Sequence, residues 1–294
     1  MPSQQSIDIR KTLVKDKLDD IPIAQKRQDW DDYAKSVPFS SEVVATETTL
    51  EDVLCLWLHP QQVREGYALL YLHGGGLTEG SVYTHREWTA RLAQQTHLSV
   101  LSVNYSLAPE HPCPVARDEV NRVYKHLLQT GYDPAKICWA ADSSGCNLAL
   151  ASLIALRDDG IQLPKAAVLL SPSVDLTCSG ESMQSRRQLD PLVSEDVLRY
   201  CAHLYAQDYD LASPCISSLF ADLTHLPEML IQVGDHEILR SDAVRLQQAV
   251  QRADGAAQLT IWDDMWHVWQ MFPELPEAQQ ALDEIQTFLA RHVV

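Results

Sequence analysis

The stretch Ile137-Cys138-Trp139-Ala140-Ala141-Asp142-Ser143-Ser144-Gly145-Cys146-Asn147-Leu148 decides the fold. An apolar run ends in a serine set among small residues, and helical spacing resumes at once. A strand–serine–helix junction of this kind is the shape of a nucleophile elbow, in which a hydroxyl stands exposed on a sharp turn. Small residues two before and two after the serine, here Ala141 and Gly145, let strand and helix pass closely. Taken alone, the same pattern suits a serine that merely caps a helix, so the flanking segments have to decide.

Upstream, the apolar run 68–72 leads into His73-Gly74-Gly75-Gly76. Consecutive glycines cost conformational entropy on folding and call for a reason. An oxyanion hole supplies one, because its backbone N–H groups must approach a tetrahedral intermediate closely. A phosphate loop would need Gly-Lys-Ser/Thr to follow, and Leu77-Thr78-Glu79 follows instead. Downstream, two more apolar runs end in chemistry-bearing turns. One passes through Gly234-Asp235-His236-Glu237 and the other through Asp264-Met265-Trp266-His267. The order serine, acid, histidine is that of hydrolases built on strand–turn–helix units, with either Asp235 or Glu237 as the acid. Position selects His267 from the eleven histidines of the chain.

Around these motifs the chain alternates apolar runs at 53–58, 68–72, 99–104, 137–141, 166–170, 229–233 and 259–262 with helical spacing at 86–95, 114–129, 144–157, 241–252 and 277–292. Strands that are apolar throughout are buried on both faces, so the pattern predicts a mainly parallel sheet covered by helices. Residues 1 to 45 are charged and helical in flavour, broken at Ile21-Pro22 and Val37-Pro38. Residues 176–215 interrupt the alternation and carry one helix, 194–207, with no strand partner. Both segments are expected to form a helical cap over residues 46–294, the main domain.

The chain has 294 residues, 46% hydrophobic and 21% charged, enough for one large core. Its net charge of −17 repels nucleic acid and anionic membranes and favours solubility. Seven cysteines without CxxC pairing give no zinc signature and no closed disulfide framework. Buried thiols, no signal-peptide pattern and no 18-residue apolar run lead to the expectation of a cytoplasmic protein without a membrane span.

With these residues in view, the chain resembles the hormone-sensitive-lipase-like family of α/β hydrolases, particularly its microbial carboxylesterases, from about residue 40 onward. The likeness is carried by His73-Gly74-Gly75-Gly76, Asn104-Tyr105-Ser106-Leu107-Ala108-Pro109-Glu110-His111-Pro112, Asp142-Ser143-Ser144-Gly145, Asp190-Pro191, Ser213-Pro214, Gly234-Asp235-His236-Glu237-Ile238-Leu239 and Met265-Trp266-His267-Val268-Trp269. It implies the α/β-hydrolase fold, with an eight-stranded, mainly parallel sheet, flanking helices and a cap. By that resemblance Ser143 is the nucleophile, His267 the general base, and the N–H groups of Gly75, Gly76 and Ser144 the oxyanion hole. His73 and the Tyr105–Pro109 segment would brace the glycine loop.

In the family's frame an acid is followed by an apolar pair and, five residues on, by a second acid. Glu237-Ile238-Leu239-Arg240-Ser241-Asp242 fits it, which selects Glu237 over Asp235 and makes Asp242 a helix-start residue. Leu77 and Trp88 are expected in the substrate pocket. The implied activity is hydrolysis of short- to medium-chain carboxylic esters, with no metal or organic cofactor. The expected partners are a small ester and, at most, a second copy of the chain.

Ala141, Ser144 and Cys146 depart from the family's usual Gly, Ala and Gly/Ala. They keep thioester, lactone, amide or acyl-transfer chemistry open as alternatives. A non-catalytic binding protein on the same fold is disfavoured, because both nucleophile and base are retained.

Overall fold

The computed structural model describes residues 2–292. The chain opens with helices α1 (Gln4–Arg10) and α2 (Ile23–Ser36), then forms strands β1 (Val43–Leu50), β2 (Val53–Pro60) and β3 (Ala68–Leu72). After α3 (Arg86–Thr96) come β4 (Ser99–Val103), α4 (Val115–Gln129), β5 (Ile137–Asp142), α5 (Ser144–Asp158) and β6 (Ala166–Leu170). The last part holds α6 (Ser182–Ser185), α7 (Glu195–Ala206), β7 (Glu228–Gly234), α8 (Arg240–Arg252), β8 (Ala257–Trp262) and α9 (Pro276–Ala290). The strands form one eight-stranded sheet in the order β1-β2-β4-β3-β5-β6-β7-β8. Pairing is antiparallel for β1–β2 and β2–β4 and parallel from β4 to β8.

Every residue of β3, β4, β5 and β6 is buried, the reason these strands read as unbroken apolar runs. One face packs on α4, α5 and α8 through residues such as Val120, Leu148 and Leu246. The other packs on α3 and α9 through Trp88, Leu92, Ile285 and Phe288. The eighth strand, β1, begins at Val43, inside the segment read as helical. Its sequence Val-Val-Ala-Thr-Glu-Thr-Thr-Leu is largely exposed at the sheet edge, so no apolar run announces it.

The N-terminal helices and the 176–215 segment meet over the C-terminal ends of the strands. Arg27 of α2 donates to Thr78 O (2.7 Å) and Ala108 O (2.6 Å) and pairs with Glu110. Asp16 accepts from Ser194 N–H at 2.6 Å, and its own N–H donates to Leu192 O. Arg10 donates to Leu189 O. The seven cysteines are free thiols, and all but Cys215 are buried. Among the described residues no helix is long and apolar enough to cross a membrane.

Candidate active site

Parallel strands present their C-terminal ends, and the loops that leave them, along one edge of the sheet. Five such loops build this site. Ser143 follows β5 with φ 51° and ψ −125°, a backbone region that disfavours side chains. Its N–H donates to Leu170 O at 2.9 Å and its carbonyl accepts from Ser173 N–H at 3.1 Å, which hold the elbow in place. A Cβ at Gly145 would overlap the carbonyls of Leu72 and His73, so only glycine lets α5 pass β3 here.

His267, from the turn after β8, places Nε2 3.0 Å from Ser143 Oγ and Nδ1 2.9 Å from Glu237 Oε2. Glu237, from the turn after β7, is fully buried. Its other oxygen, Oε1, accepts from Gly234 N–H at 2.6 Å and from Ser171 Oγ–H at 2.7 Å. Ser171, after β6, also accepts from Val268 N–H at 3.1 Å, tying the carboxylate to the histidine turn. A carboxylate only accepts, so the imidazole donates through Nδ1 and turns a lone pair toward Ser143. Burial opposes the imidazolium, but the hydrogen bond and charge of Glu237, with Asp190 and Asp142, outweigh it and hold the His267 pKa above its ordinary value. Asp235 stands apart, part-exposed and paired with Arg186 and Arg240.

The glycine loop lies directly beside the serine. A Cβ at Gly74 would overlap Asp142 Oδ2 and approach Ser143 Cβ to 2.9 Å. Gly75 and Gly76 have φ of 115° and 66°, values natural only to glycine. A Cβ on Gly75 would overlap Glu79 O, and one on Gly76 would meet Cys201 Sγ at 2.8 Å. Among the described residues, the N–H groups of Gly75, Gly76 and Ser144 have no protein acceptor. Ser144 opens α5, where N–H groups are free and the helix dipole favours negative charge. The Ser144 hydroxyl accepts from Leu77 N–H at 3.1 Å and so links the elbow to the glycine loop.

The loop is braced from behind. His73 Nδ1 donates to Gly74 O at 2.8 Å and its ring stacks on Tyr105 at 4.2 Å; Tyr105 donates to His73 O at 2.6 Å. Burial and the neighbouring His85 push the His73 pKa down to about 3, so it stays neutral. Asp142 Oδ1 accepts from Gly74 N–H (2.9 Å) and Tyr71 O–H (2.7 Å). Burial opposes the Asp142 charge, yet His85 and Tyr71 outweigh it and hold its pKa below the ordinary carboxylate range. Asp190 accepts from Leu192, Val193 and Ile238 N–H groups, anchoring the 176–215 segment beside Glu237.

Two residues expected in the pocket lie among core residues. Trp88 is 1% exposed between the sheet and the α3–α9 layer, on the inner face of α3. The Leu77 side chain is equally buried and joins the opposite core cluster, and only its main chain bonds within the loop. Ser171, Tyr71 and His85 were not singled out from the sequence. Ser171 lies just beyond β6, Tyr71 near the end of β3 and His85 after the glycine loop, and this placement is the one signal that could have found them.

Residues 69–271 match the α/β-hydrolase fold family. An acetyl-hydrolase of Streptomyces hygroscopicus is 39% identical over 234 residues, 79% of this chain and 78% of that protein. An esterase of Acinetobacter venetianus is 39% identical over 222 residues, covering 75% and 73%. The crystal structure of an esterase from the bacterial hormone-sensitive lipase family superposes with a TM-score of 0.94 at 35% identity, over 100% of both chains. A chain with this sheet order, this serine elbow and these relatives belongs to the α/β-hydrolase fold family, in its hormone-sensitive-lipase group.

Proposed function

We propose that this carboxylic ester hydrolase works through a Ser143–His267–Glu237 triad and prefers short- to medium-chain acyl groups. The observation that carries the triad is the continuous path from Ser143 Oγ through both ring nitrogens of His267 to Glu237, at 3.0 and 2.9 Å. His267 takes the Ser143 proton as Oγ attacks the ester carbonyl, and the oxyanion sits against the N–H groups of Gly75, Gly76 and Ser144. The alcohol departs with the proton from His267. Water, deprotonated by the same ring, then releases the acid and restores the serine. Glu237 keeps the ring in the productive tautomer and stabilises the imidazolium.

The acyl preference is supported by the close approach of α7 to the oxyanion loop, with Cys201 packed against Gly76, and by a relative named as an acetyl-hydrolase. The N-terminal helices and residues 176–215 serve as the cap. The test is a p-nitrophenyl ester series from acetate to laurate with wild type and Ser143→Ala. Turnover is expected to peak at butyrate or below and to vanish in the variant. Retained turnover in Ser143→Ala would discard the triad, and a peak at decanoate or laurate would discard the chain-length preference.

A further inference from the structure

Behind the oxyanion loop lies a buried polar cluster that the acyl-transfer steps do not use. We propose that His85 and Asp142 form a buried ion pair, with His85 doubly protonated, and that this pair positions the oxyanion loop against Ser143. The inference rests on the esterase reading above.

The protonation state follows from donors and acceptors. Thr84 Oγ1 lies 2.8 Å from His85 Nδ1 and 2.9 Å from Ser81 O, and it already accepts from Ser81 N–H at 2.8 Å. The single Thr84 hydroxyl proton goes to the Ser81 carbonyl, which can only accept. With that proton on the Ser81 carbonyl, Nδ1 of His85 donates to Thr84. Nε2 faces Asp142 Oδ2 at 3.5 Å, with both side chains 3% exposed or less. A neutral ring with its proton on Nδ1 would aim a lone pair at a carboxylate. A second proton on Nε2 turns that repulsion into attraction.

The adjacent ring differs in kind. His73 spends its proton on Gly74 O, and its Nε2 is buried without a partner, as a neutral imidazole requires. Around His85 stand Asp142 and Tyr71 from the ends of β5 and β3, and His73 at 5.4 Å. Trp30 of α2 lies at 6.0 Å, and its neighbour Asp31 accepts from Ser81 Oγ.

This arrangement answers a physical difficulty. Asp142 holds Gly74 N–H, so its charge is needed to pin the loop, but a bare anion behind an oxyanion hole would oppose the charge formed there. A compensating cation on the far oxygen keeps the grip and cancels much of the field. His85 and Asp142 are positioning residues, acting through Gly74 and not on substrate.

The same charges reach His267, which faces Glu237, Asp190 and Asp142, with Asp16 of the N-terminal segment nearby. Removing the His85 cation leaves Asp142 uncompensated and raises the acidic limb of the kcat/KM–pH profile. Removing the Asp142 anion lowers that limb. A merely structural role would not shift the two in opposite directions.

The test compares p-nitrophenyl butyrate hydrolysis by wild type, His85→Gln and Asp142→Asn from pH 5 to 9. In parallel, the His85 ring nitrogens of ¹⁵N-labelled wild type are read by NMR at neutral pH. Expected are opposite limb shifts, at least a tenfold loss of kcat in each variant with KM little changed, and two protonated nitrogens on His85. Limbs that stay put or move together would overturn the proposal, as would a singly protonated ring. The NMR arm decides the pair even if a variant fails to fold. A wild type that cleaves no ester would count against the esterase reading alone, because the ring measurement needs no activity.

Discussion

Replacing Glu237 by Gln isolates the role of the acid, because the surrounding donors dictate how the amide must sit. Oε1 of Glu237 receives two protons, from Gly234 N–H and Ser171 O–H. An –NH₂ group there would face both donors, so the amide oxygen takes that place and the nitrogen takes the place of Oε2. The –NH₂ group then points at His267 Nδ1, which must become the acceptor. The ring proton moves to Nε2, facing Ser143 Oγ, and the base can no longer accept the serine proton. In triads of this design the wrong tautomer costs about 10⁴ in kcat with geometry intact, or about 5–6 kcal/mol of barrier. The measurement is kcat for p-nitrophenyl butyrate at saturation, beside a thermal melt to establish folding. A kcat within tenfold of wild type in a folded Glu237→Gln protein would refute the reasoning. Asp235→Asn is the control: its carboxylate pairs with Arg186 and Arg240 at the surface, so its kcat should fall less than about threefold.

Three further outcomes are expected. Because the His267 pKa is held above its ordinary value, kcat/KM should fall on acidification with an inflection above that of free histidine, since the protonated ring cannot act as base; a pH profile with its inflection below the free value would contradict this. Gly75→Ala should lower kcat by about 10²–10³ and lower the melting temperature as well, because the new methyl would strike the Glu79 backbone and tilt one oxyanion donor away; unchanged kcat would place the donors elsewhere. Asp242 is fully buried and its carboxyl pKa is pushed up to about 7, chiefly by burial. Its protonation therefore adds stability that is full below the ordinary carboxylate range and lost as pH rises through about 7; chemical denaturation of Asp242→Asn should show a smaller loss between pH 4 and 8 than wild type, and an identical loss would reject the assignment.

How far the structure is legible in the sequence depends on whether a residue's partner is local. The strands from β3 to β6 are read correctly because burial on both faces makes every residue apolar or small, save Asp142 where β5 reaches the site. β1 escapes because Thr46, Glu47, Thr48 and Thr49 follow one another on a largely exposed edge strand, and such a polar run is indistinguishable in sequence from a loop. At the site, Ser143 and the glycines are legible because a tight turn restricts residue type within a few positions. Ser171 is not, since its partners Glu237 and Val268 lie 66 and 97 residues away. Trp88 is ambiguous in the sequence for a related reason: its aromatic bulk fits a pocket wall as well as a core. Only the inward face of α3, with Ala90, Leu92 and Ala93 equally buried, tells the two apart.

The backbone conformations at the rim show why those long-range bonds matter. Leu77, Ser143, Ser171 and Val268 all have positive φ, between 47° and 63°, and none is glycine. Each such residue costs about 1–3 kcal/mol relative to a relaxed backbone. In every case a long-range hydrogen bond holds the N–H: Leu77 to Ser144 Oγ, Ser143 to Leu170 O, Ser171 to Gln232 O and Val268 to Ser171 Oγ. Each of these bonds joins neighbouring loops or strands, so the strained turns brace one another. A site tied in this way cannot relax one turn without disturbing the next. On the proposed mechanism, the N–H groups of Gly75, Gly76 and Ser144 are therefore set to receive the oxyanion before any substrate arrives. Donors fixed in advance need no reorganisation when charge develops on the carbonyl oxygen, which is the main source of their catalytic effect.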